Sequence, residues 1–395
     1  MMPNIYSAEH LQRTHYSVPL TEQNKLIDEL QKRTDTESKR LQLYLGLPDL
    51  TKTDGSPLKV VIEKVLGLAE FRNFDIIDTP EVISPVTVFD LFNFPKDHPA
   101  RKATDTYFVD ADHILRPHTS LMWKYYFDLP EIRKQLAEYS SAGALSYGKI
   151  YRRDEIDWQH SNVSHQCDGL FVCKKEIKVI SQADLENICR KVIHCLLGEQ
   201  VKEKFIVDKF PYTDPSIEMD IAWDNKWVEV NGAGIVHPQV LKNLGIDPDV
   251  NNGWAFGFGI DRLAMLKMRI PDIRLLRSTD ERVNKQLADI DHIYVPVSKY
   301  PPVVRDISFI VDKDTFNLNS YYGTVRDVAG DDYVEQVKIL DQYENAEKFG
   351  RNKISYTFRI TYRHINRTLT GQEINKLHEK LHKVTEEKYG AEIRK

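Results

Sequence analysis

The stretch Ser216–Val230, "SIEMDIAWDNKWVEV", decides the fold. Ile217, Met219, Ile221 and Trp223 alternate with Ser216, Glu218, Asp220 and Ala222, the period of a half-buried strand. Asp224-Asn225 follows, a pair suited to a tight two-residue loop, and "KWVEV" returns as the second strand of a hairpin. The neighbouring segments read as helices. Ser181 starts one, with Asp184 in a capping-box position and a stripe of Leu185, Ile188, Cys189, Val192, Ile193, Leu196 and Leu197. "GIDRLAMLKM" reads as a helix packed behind the hairpin. Hairpin strands between long helices, without a regular β-α alternation, predict an α+β fold on an antiparallel sheet rather than a doubly wound one.

Working outward, residues 1–50 read as an N-terminal appendage with one helix near 21–33. Ser56-Pro57 caps a further helix carrying Leu58, Val61, Ile62, Val65 and Ala69. "DIIDTPEVISP" is extended. The main domain is expected over 51–287 and a connector over 288–295. From 296 to 395 the order is strand, helix, strand, strand, helix, with "EIRK" as a short last strand, the pattern of a ferredoxin-like domain.

The 395 residues allow two or three domains. Net charge is −5, so a nucleic acid would be held by local patches and not by a global basic field. The four cysteines, 167, 173, 189 and 195, lack the short pairing of a zinc site and are expected as reduced thiols in or near the core. No run reaches the length of a membrane span. "MMPNIYSAEHLQRTHY" lacks a secretory core and is poor in arginine, which favours the cytoplasm, with the mitochondrial matrix as the alternative.

Five clusters carry candidate chemistry: "RPHTS" (116–120), "YRRDEID" with the following "HSNVSHQCDG", "FPYTDP" (210–215), "VEVNGAG" (228–234) and "GWAFGFGIDR" (253–262). Singly, each has a plain reading, such as a surface pair of Arg152 with Asp154 or Glu155. Together they suit one ligand set. Arginine forks at Arg152 and Arg262 would grip the two ends of a triphosphate. Gly257 and Gly259 would admit a ligand close to the backbone. Glu229 would carry Mg²⁺. Phe210 and Tyr212 would sandwich an aromatic substrate. Ser120, Gln166 and Asp168 would fix its amino and carboxylate groups.

The order of a proline-bearing extended segment, "YRRDE…HQ" and "GFGIDR" resembles motifs 1, 2 and 3 of class II aminoacyl-tRNA synthetases. "LRPHTS", "IYRRDEID", "HQCDG", "FPYTDPS", "VEVNGAGIVHPQVL", "GWAFGFGIDRLAML", "SKYPPVVRDISF" and "RITYRHINRTLT" resemble the phenylalanyl branch of that class, in its single-chain, mitochondrial type with a C-terminal ferredoxin-fold anticodon-binding domain. The resemblance covers about 95–385 and implies ATP and Mg²⁺ as cosubstrate and cofactor, phenylalanine and tRNA as partners, no membrane, and a monomer. It implies Arg152 on the α-phosphate, Arg262 at the γ-phosphate end, and Asp154 near adenine. His160 and Glu229 complete the ATP site. His118, Ser120, Gln166 and Asp168 would contact the amino-acid head group, and Phe210, Tyr212 and Ala255 its side chain.

The chain departs from the family pattern at Trp123 (commonly Gln), Ser164 (Phe), Asp154 and Asp168 (both Glu), Tyr212 (Phe) and Ala233 (often Cys). Most of these touch amino-acid positions. A synthetase for another aromatic or related amino acid, or a non-charging tRNA-binding paralogue, stay open beside a phenylalanine–tRNA ligase. In the C-terminal region Lys348, Arg351, Lys353, Arg359, Arg363 and Arg367 fall in a window without an acidic residue, and Arg359, Arg363 and Arg367 are the expected tRNA contacts.

Overall fold

A computed structural model describes residues 12–155, 157–296, 300–330 and 332–394. Most of the N-terminal stretch behind the targeting expectation, and parts of "YRRDEID" and "SKYPP", lie outside the described residues. Contacts divide the chain into two compact units. Met1–Tyr151, Val163–Arg269 and Leu287–His292 form the first. Arg152–Asn162, Ile270–Gln286 and Ile293–Lys395 form the second.

The first unit contains β1 (His15–Ser17), β2 (Asp75–Asp78), the small pair β3 (Val82–Ile83) and β4 (Ile114–Leu115), then β5 (Ser141–Tyr151), β6 (Val163–Lys174), β7 (Glu203–Asp208), β8 (Thr213–Trp223), β9 (Lys226–Val236) and β10 (Asn251–Gly259). Eight of these form one sheet in the order β1-β2-β5-β6-β10-β9-β8-β7. From β5 to β7 all neighbours are antiparallel, as the hairpin requires. Only the β1-β2-β5 edge is parallel. The β8–β9 turn has Asp224 and Asn225 at φ 46° and 64°, the double left-handed geometry of a type I′ loop.

Alternation sends Phe171, Trp254 and Phe256 to one face of this sheet. They stack there with Phe74, the Phe74–Trp254 and Trp254–Phe256 centroids lying 5.8 and 5.5 Å apart. The helices Pro57–Leu66, Gln182–Leu197 and Ile260–Met268 contact one another, and the last two also contact the sheet. Ser56 caps the first through the Leu58 N–H, and Ser181 and Asp184 complete both arms of the capping box on the second. The first helix stops at Gly67, and Ala69 falls in a short 3₁₀ turn. Residues expected as an appendage supply β1 and two helices, Thr21–Gln31 and Thr36–Gly46. Leu26, Leu30, Leu41 and Tyr44 from them are buried with Tyr107, Leu115, Tyr151 and Val163. Cys167, Cys173 and Cys189 are buried free thiols, and Cys195 is an exposed one.

The second unit contains β11 (Val303–Asp312), β12 (Val334–Tyr343), β13 (Lys353–Tyr362) and β14 (Glu392–Arg394), with main helices Leu318–Ala329 and Gly371–Tyr389. The sheet order β12-β13-β11-β14 is that of a ferredoxin-like fold, completed by the short last strand. Phe309, Tyr321, Val325, Phe358, Ile360 and Ile374 lie at its core. Segment 270–286 groups with this unit, where Arg274 pairs with Asp272 and reaches Glu335.

Candidate active site

The sheet face opposite the aromatic stack is built of small and polar residues. Strand register sets Ser146, Asp168, Gly257, Gly232 and Glu218 side by side across β5, β6, β10, β9 and β8. The next row is Ala144, Leu170, Ala255, Gly234 and Ser216. A polar strip thus borders an apolar one.

Asp168 is fully buried and accepts a hydrogen bond from Ser120 Oγ at 2.5 Å. Gln166 Oε1 is buried without a protein hydrogen-bond partner. A Cβ on Gly257 would lie 2.6 Å from both Asp168 Oδ1 and Gln166 Nε2, so glycine is required there for these two side chains to stand over β10. Ser120, Gln166 and Asp168, expected as one group, are brought together. His118, two residues before Ser120, packs edge-on to Phe92 at 5.6 Å.

Ala255 sits in a cluster with Leu170, Phe92 and Trp123, and Tyr212 packs against it. Phe210 lies over Gly232, where a Cβ would be 2.9 Å from its Cζ. Phe210 and Tyr212 stack on each other, centroids 5.7 Å apart and planes 9° from parallel. Two rings already in contact leave no place for a third between them, so they form one wall and not the expected two jaws. Phe92 and Phe94 also flank Tyr212 at 5.8 and 5.9 Å, and Trp123 at 6.1 Å. Phe92 and Phe94 carry no local motif that marks them in the sequence.

Arg262 stands in the first turn of the Ile260–Met268 helix and donates to the Glu229 carbonyl at 2.8 Å. Glu229 is exposed beside a carboxylate that sequence reading missed. Glu218 is raised to about 7, by burial first and then by Glu229, by Asp208, which also hydrogen-bonds it, and by Asp220. Such crowding is relieved by a cation. Among the described residues no group of three or more His, Cys, Asp or Glu is arranged to hold a metal alone. Mg²⁺ needs fewer, since it binds through one or two carboxylates plus substrate phosphates, so the donor set fits it. The polar side of "SIEMDIAW" was the available signal for Glu218.

Arg152, Asp154 and His160 lie on the loop 152–162 between β5 and β6, within the second unit. The Arg152 N–H donates to the Asn162 carbonyl at 3.1 Å, closing the loop at its base. Asp157 accepts from the Gln159 and His160 N–H groups and from His160 Nδ1 at 2.7–2.8 Å. Burial pushes Asp157 up, but these contacts win and its carboxyl is lowered.

Residues 42–287 match the family model described as the tRNA synthetases class II core domain (F), and 298–394 match the ferredoxin-fold anticodon binding domain. The chain belongs to the class II tRNA synthetases. It is 34% identical to the mitochondrial phenylalanine–tRNA ligase of Mus musculus, covering 81% of this chain and 76% of that protein. It is 33% identical to the chloroplastic/mitochondrial phenylalanine–tRNA ligase of Arabidopsis thaliana, over 89% and 80%. It is 32% identical to the mitochondrial phenylalanine–tRNA ligase of Dictyostelium discoideum, over 82% and 80%. These names give no support to the expected cytoplasmic location.

In this synthetase the anticodon-binding domain corrects one expectation. The three arginines expected as tRNA contacts each meet a carboxylate. Arg359 is paired with Asp306 on β11 through two bonds of 2.8 Å. Arg363 meets Glu335 at 2.6 Å, and Arg367 is paired with Glu373 and also bonds Tyr333. A window without acidic residues in sequence is thus balanced by carboxylates from β11, β12 and the Gly371–Tyr389 helix. No helix among the described residues is long and apolar enough to cross a membrane.

Proposed function

We infer that the chain is a phenylalanine–tRNA ligase that activates phenylalanine with ATP and passes it to tRNA. The observation that carries this reading is the pair of adjoining strips on one sheet face. Asp168, Gln166 and Ser120 offer a head-group site, and Leu170, Ala255, Phe210 and Tyr212 offer a bed for a ring. An ammonium group suits Asp168 and the buried acceptor Gln166 Oε1. His118 completes the head-group contacts.

The substrate carboxylate attacks the α-phosphate in line. A new P–O bond forms as the bond to pyrophosphate breaks, giving the aminoacyl adenylate. Arg152 stabilises charge on the α-phosphate and Arg262 holds the γ end. Asp154 and His160 belong to the adenine side. Mg²⁺, held by Glu229 and Glu218, would neutralise phosphate charge. No side chain forms a covalent intermediate, so positioning and electrostatics supply the rate. The 2′-hydroxyl of the terminal tRNA ribose then attacks the adenylate's acyl carbon, forming the ester as the acyl–phosphate bond breaks and AMP leaves, while the C-terminal domain holds the anticodon region. The relatives' names support a mitochondrial location, and we place the enzyme in the matrix, acting as a single chain.

Exchange of pyrophosphate into ATP across the twenty amino acids tests the reading. Phenylalanine should give the highest kcat/KM. Preference for another amino acid would overturn the substrate, and no exchange with any would favour the non-charging paralogue.

A further inference from the structure

Arg326 lies in the last turn of the Leu318–Ala329 helix, in the domain matched to anticodon binding, and only 7% of its surface is exposed. Its guanidinium forms hydrogen bonds with the 152–162 loop at both ends. Nη1 donates to the Asp154 carbonyl at 3.2 Å and Nη2 to the Glu155 carbonyl at 2.9 Å. Nη1 also bonds Asn162 Oδ1. Asn162 is buried, and its own carbonyl receives the Arg152 N–H. One planar fork therefore joins the start of the loop to its end and sits one residue removed from the Arg152 backbone. The middle of the loop has a further tie, from the Ile273 N–H to the Trp158 carbonyl at 2.9 Å.

We propose that Arg326 is a positioning residue for adenylate formation. It sets the 152–162 loop so that Arg152 and Asp154 meet ATP in one conformation. An eleven-residue loop that must present an arginine to a phosphate loses much of its effect if its backbone wanders. Charge-assisted bonds to two successive carbonyls are a strong way to stop it, and lysine cannot reproduce the fork. The tRNA-reading domain thereby contributes to the first half-reaction, before any tRNA is bound. This inference rests on the proposed role of Arg152.

The test is phenylalanine-dependent pyrophosphate exchange without tRNA, in full-length wild type, Arg326→Ala, Arg326→Lys and Arg152→Ala, with thermal melting of each. The KM for ATP should rise about tenfold or more in Arg326→Ala, as for loss of charge-assisted bonds, while the KM for phenylalanine stays within about twofold. Arg326→Lys should fall between, and added guanidinium ion should partly restore Arg326→Ala. An unchanged KM for ATP in folded Arg326→Ala overturns the proposal. So does an equal rise in both KM values that follows the loss of melting temperature. If Arg326→Ala does not fold, an unchanged KM for ATP in Arg326→Lys overturns it. Normal exchange by Arg152→Ala refutes the ATP reading itself and is thus told apart from failure of this inference.

Discussion

The carboxylate of Asp261 accepts two hydrogen bonds from His165, one from its backbone N–H at 2.5 Å and one from ring Nδ1 at 3.0 Å. The other ring nitrogen, Nε2, lies 3.1 Å from the Leu50 N–H and must accept from it. That network assigns the Nδ1–H tautomer. Asp261 precedes Arg262 and His165 precedes Gln166, so one buried pair fixes the first turn of the Ile260–Met268 helix against β6 and sets Arg262 relative to Gln166.

Asp261→Ala leaves two buried N–H donors without their acceptor. Each costs about 1–3 kcal/mol, so the variant should unfold at clearly lower urea and show reduced exchange even where it is fully folded. Urea midpoints and exchange rates at low urea are the measurements. Wild-type stability with wild-type exchange would show that the pair holds nothing in place.

Arg262→Ala should abolish activation while tRNA binding stays near wild type. Loss of one donor aimed at developing charge costs about 2–4 kcal/mol in the transition state. Replacing the side chain also frees the Glu229 carbonyl, which now accepts from Arg262. Near-normal adenylate formation would remove Arg262 from the ATP site.

Glu218 gives a pH test. In the folded chain it keeps its proton up to about 7, whereas unfolded it ionises in the ordinary carboxylate range. Between those limits the folded state binds more protons, so stability falls as pH rises through the window. A cation that binds the ionised pair of Glu218 and Glu229 reverses that loss. The rise in melting temperature on adding Mg²⁺ should be larger at pH 8 than at pH 6, and Glu218→Gln should remove most of the difference. Equal shifts at the two pH values, or an unchanged effect in Glu218→Gln, would place Mg²⁺ elsewhere.

Asp306→Asn should strengthen tRNA binding. Arg359 now spends its fork on Asp306, and a phosphate must displace that carboxylate. Freeing the arginine adds one unit of charge to the contact, so the slope of log affinity against log salt should steepen by about one. Filter binding across a salt series reads this directly. An unchanged slope would show that tRNA does not meet this face of the sheet.

The parts of the molecule legible in sequence are those whose signal is local. Strict alternation and the Asp224-Asn225 loop gave the hairpin, and cap residues gave the helix starts at Ser56 and Ser181. The Thr36–Gly46 helix escaped because "LQLYLG" alternates like a strand, and its buried Leu41 and Tyr44 are too few to set a helical period. The missing information at the site is cross-strand and long-range. Glu218 becomes special only when β7 and β9 bring Asp208 and Glu229 beside it. The arginines at 359, 363 and 367 look free because their carboxylates come from other elements. Arg326 and Asn162 are 164 positions apart, a pairing that no window of sequence contains.

The aromatic cluster around Tyr212, proposed as the amino-acid side-chain site, yields the sharpest prediction. Tyr212 is held by ring contacts: it stacks on Phe210, and Phe92 and Trp123 meet it edge-on at 85°. Tyr212→Phe keeps all three. If the hydroxyl faces away from the substrate, the variant should change kcat/KM for phenylalanine by less than about tenfold, or 1.4 kcal/mol. The opposing possibility is a site built for a polar ring. Trp123 Nε1 gives it weight, since that N–H is buried without a protein hydrogen-bond partner in the cluster that holds Ala255. A site that hydrogen-bonds a substrate hydroxyl can reject the analogue lacking it by about 10⁴. Phenylalanine and tyrosine should therefore be compared by exchange in wild type, Tyr212→Phe and Trp123→Phe. Selection for phenylalanine in all three follows if the bed formed by Leu170 and Ala255 sets specificity. A wild-type preference for tyrosine that collapses in either variant would instead make this chain a class II synthetase for a polar aromatic amino acid, with the reaction unchanged.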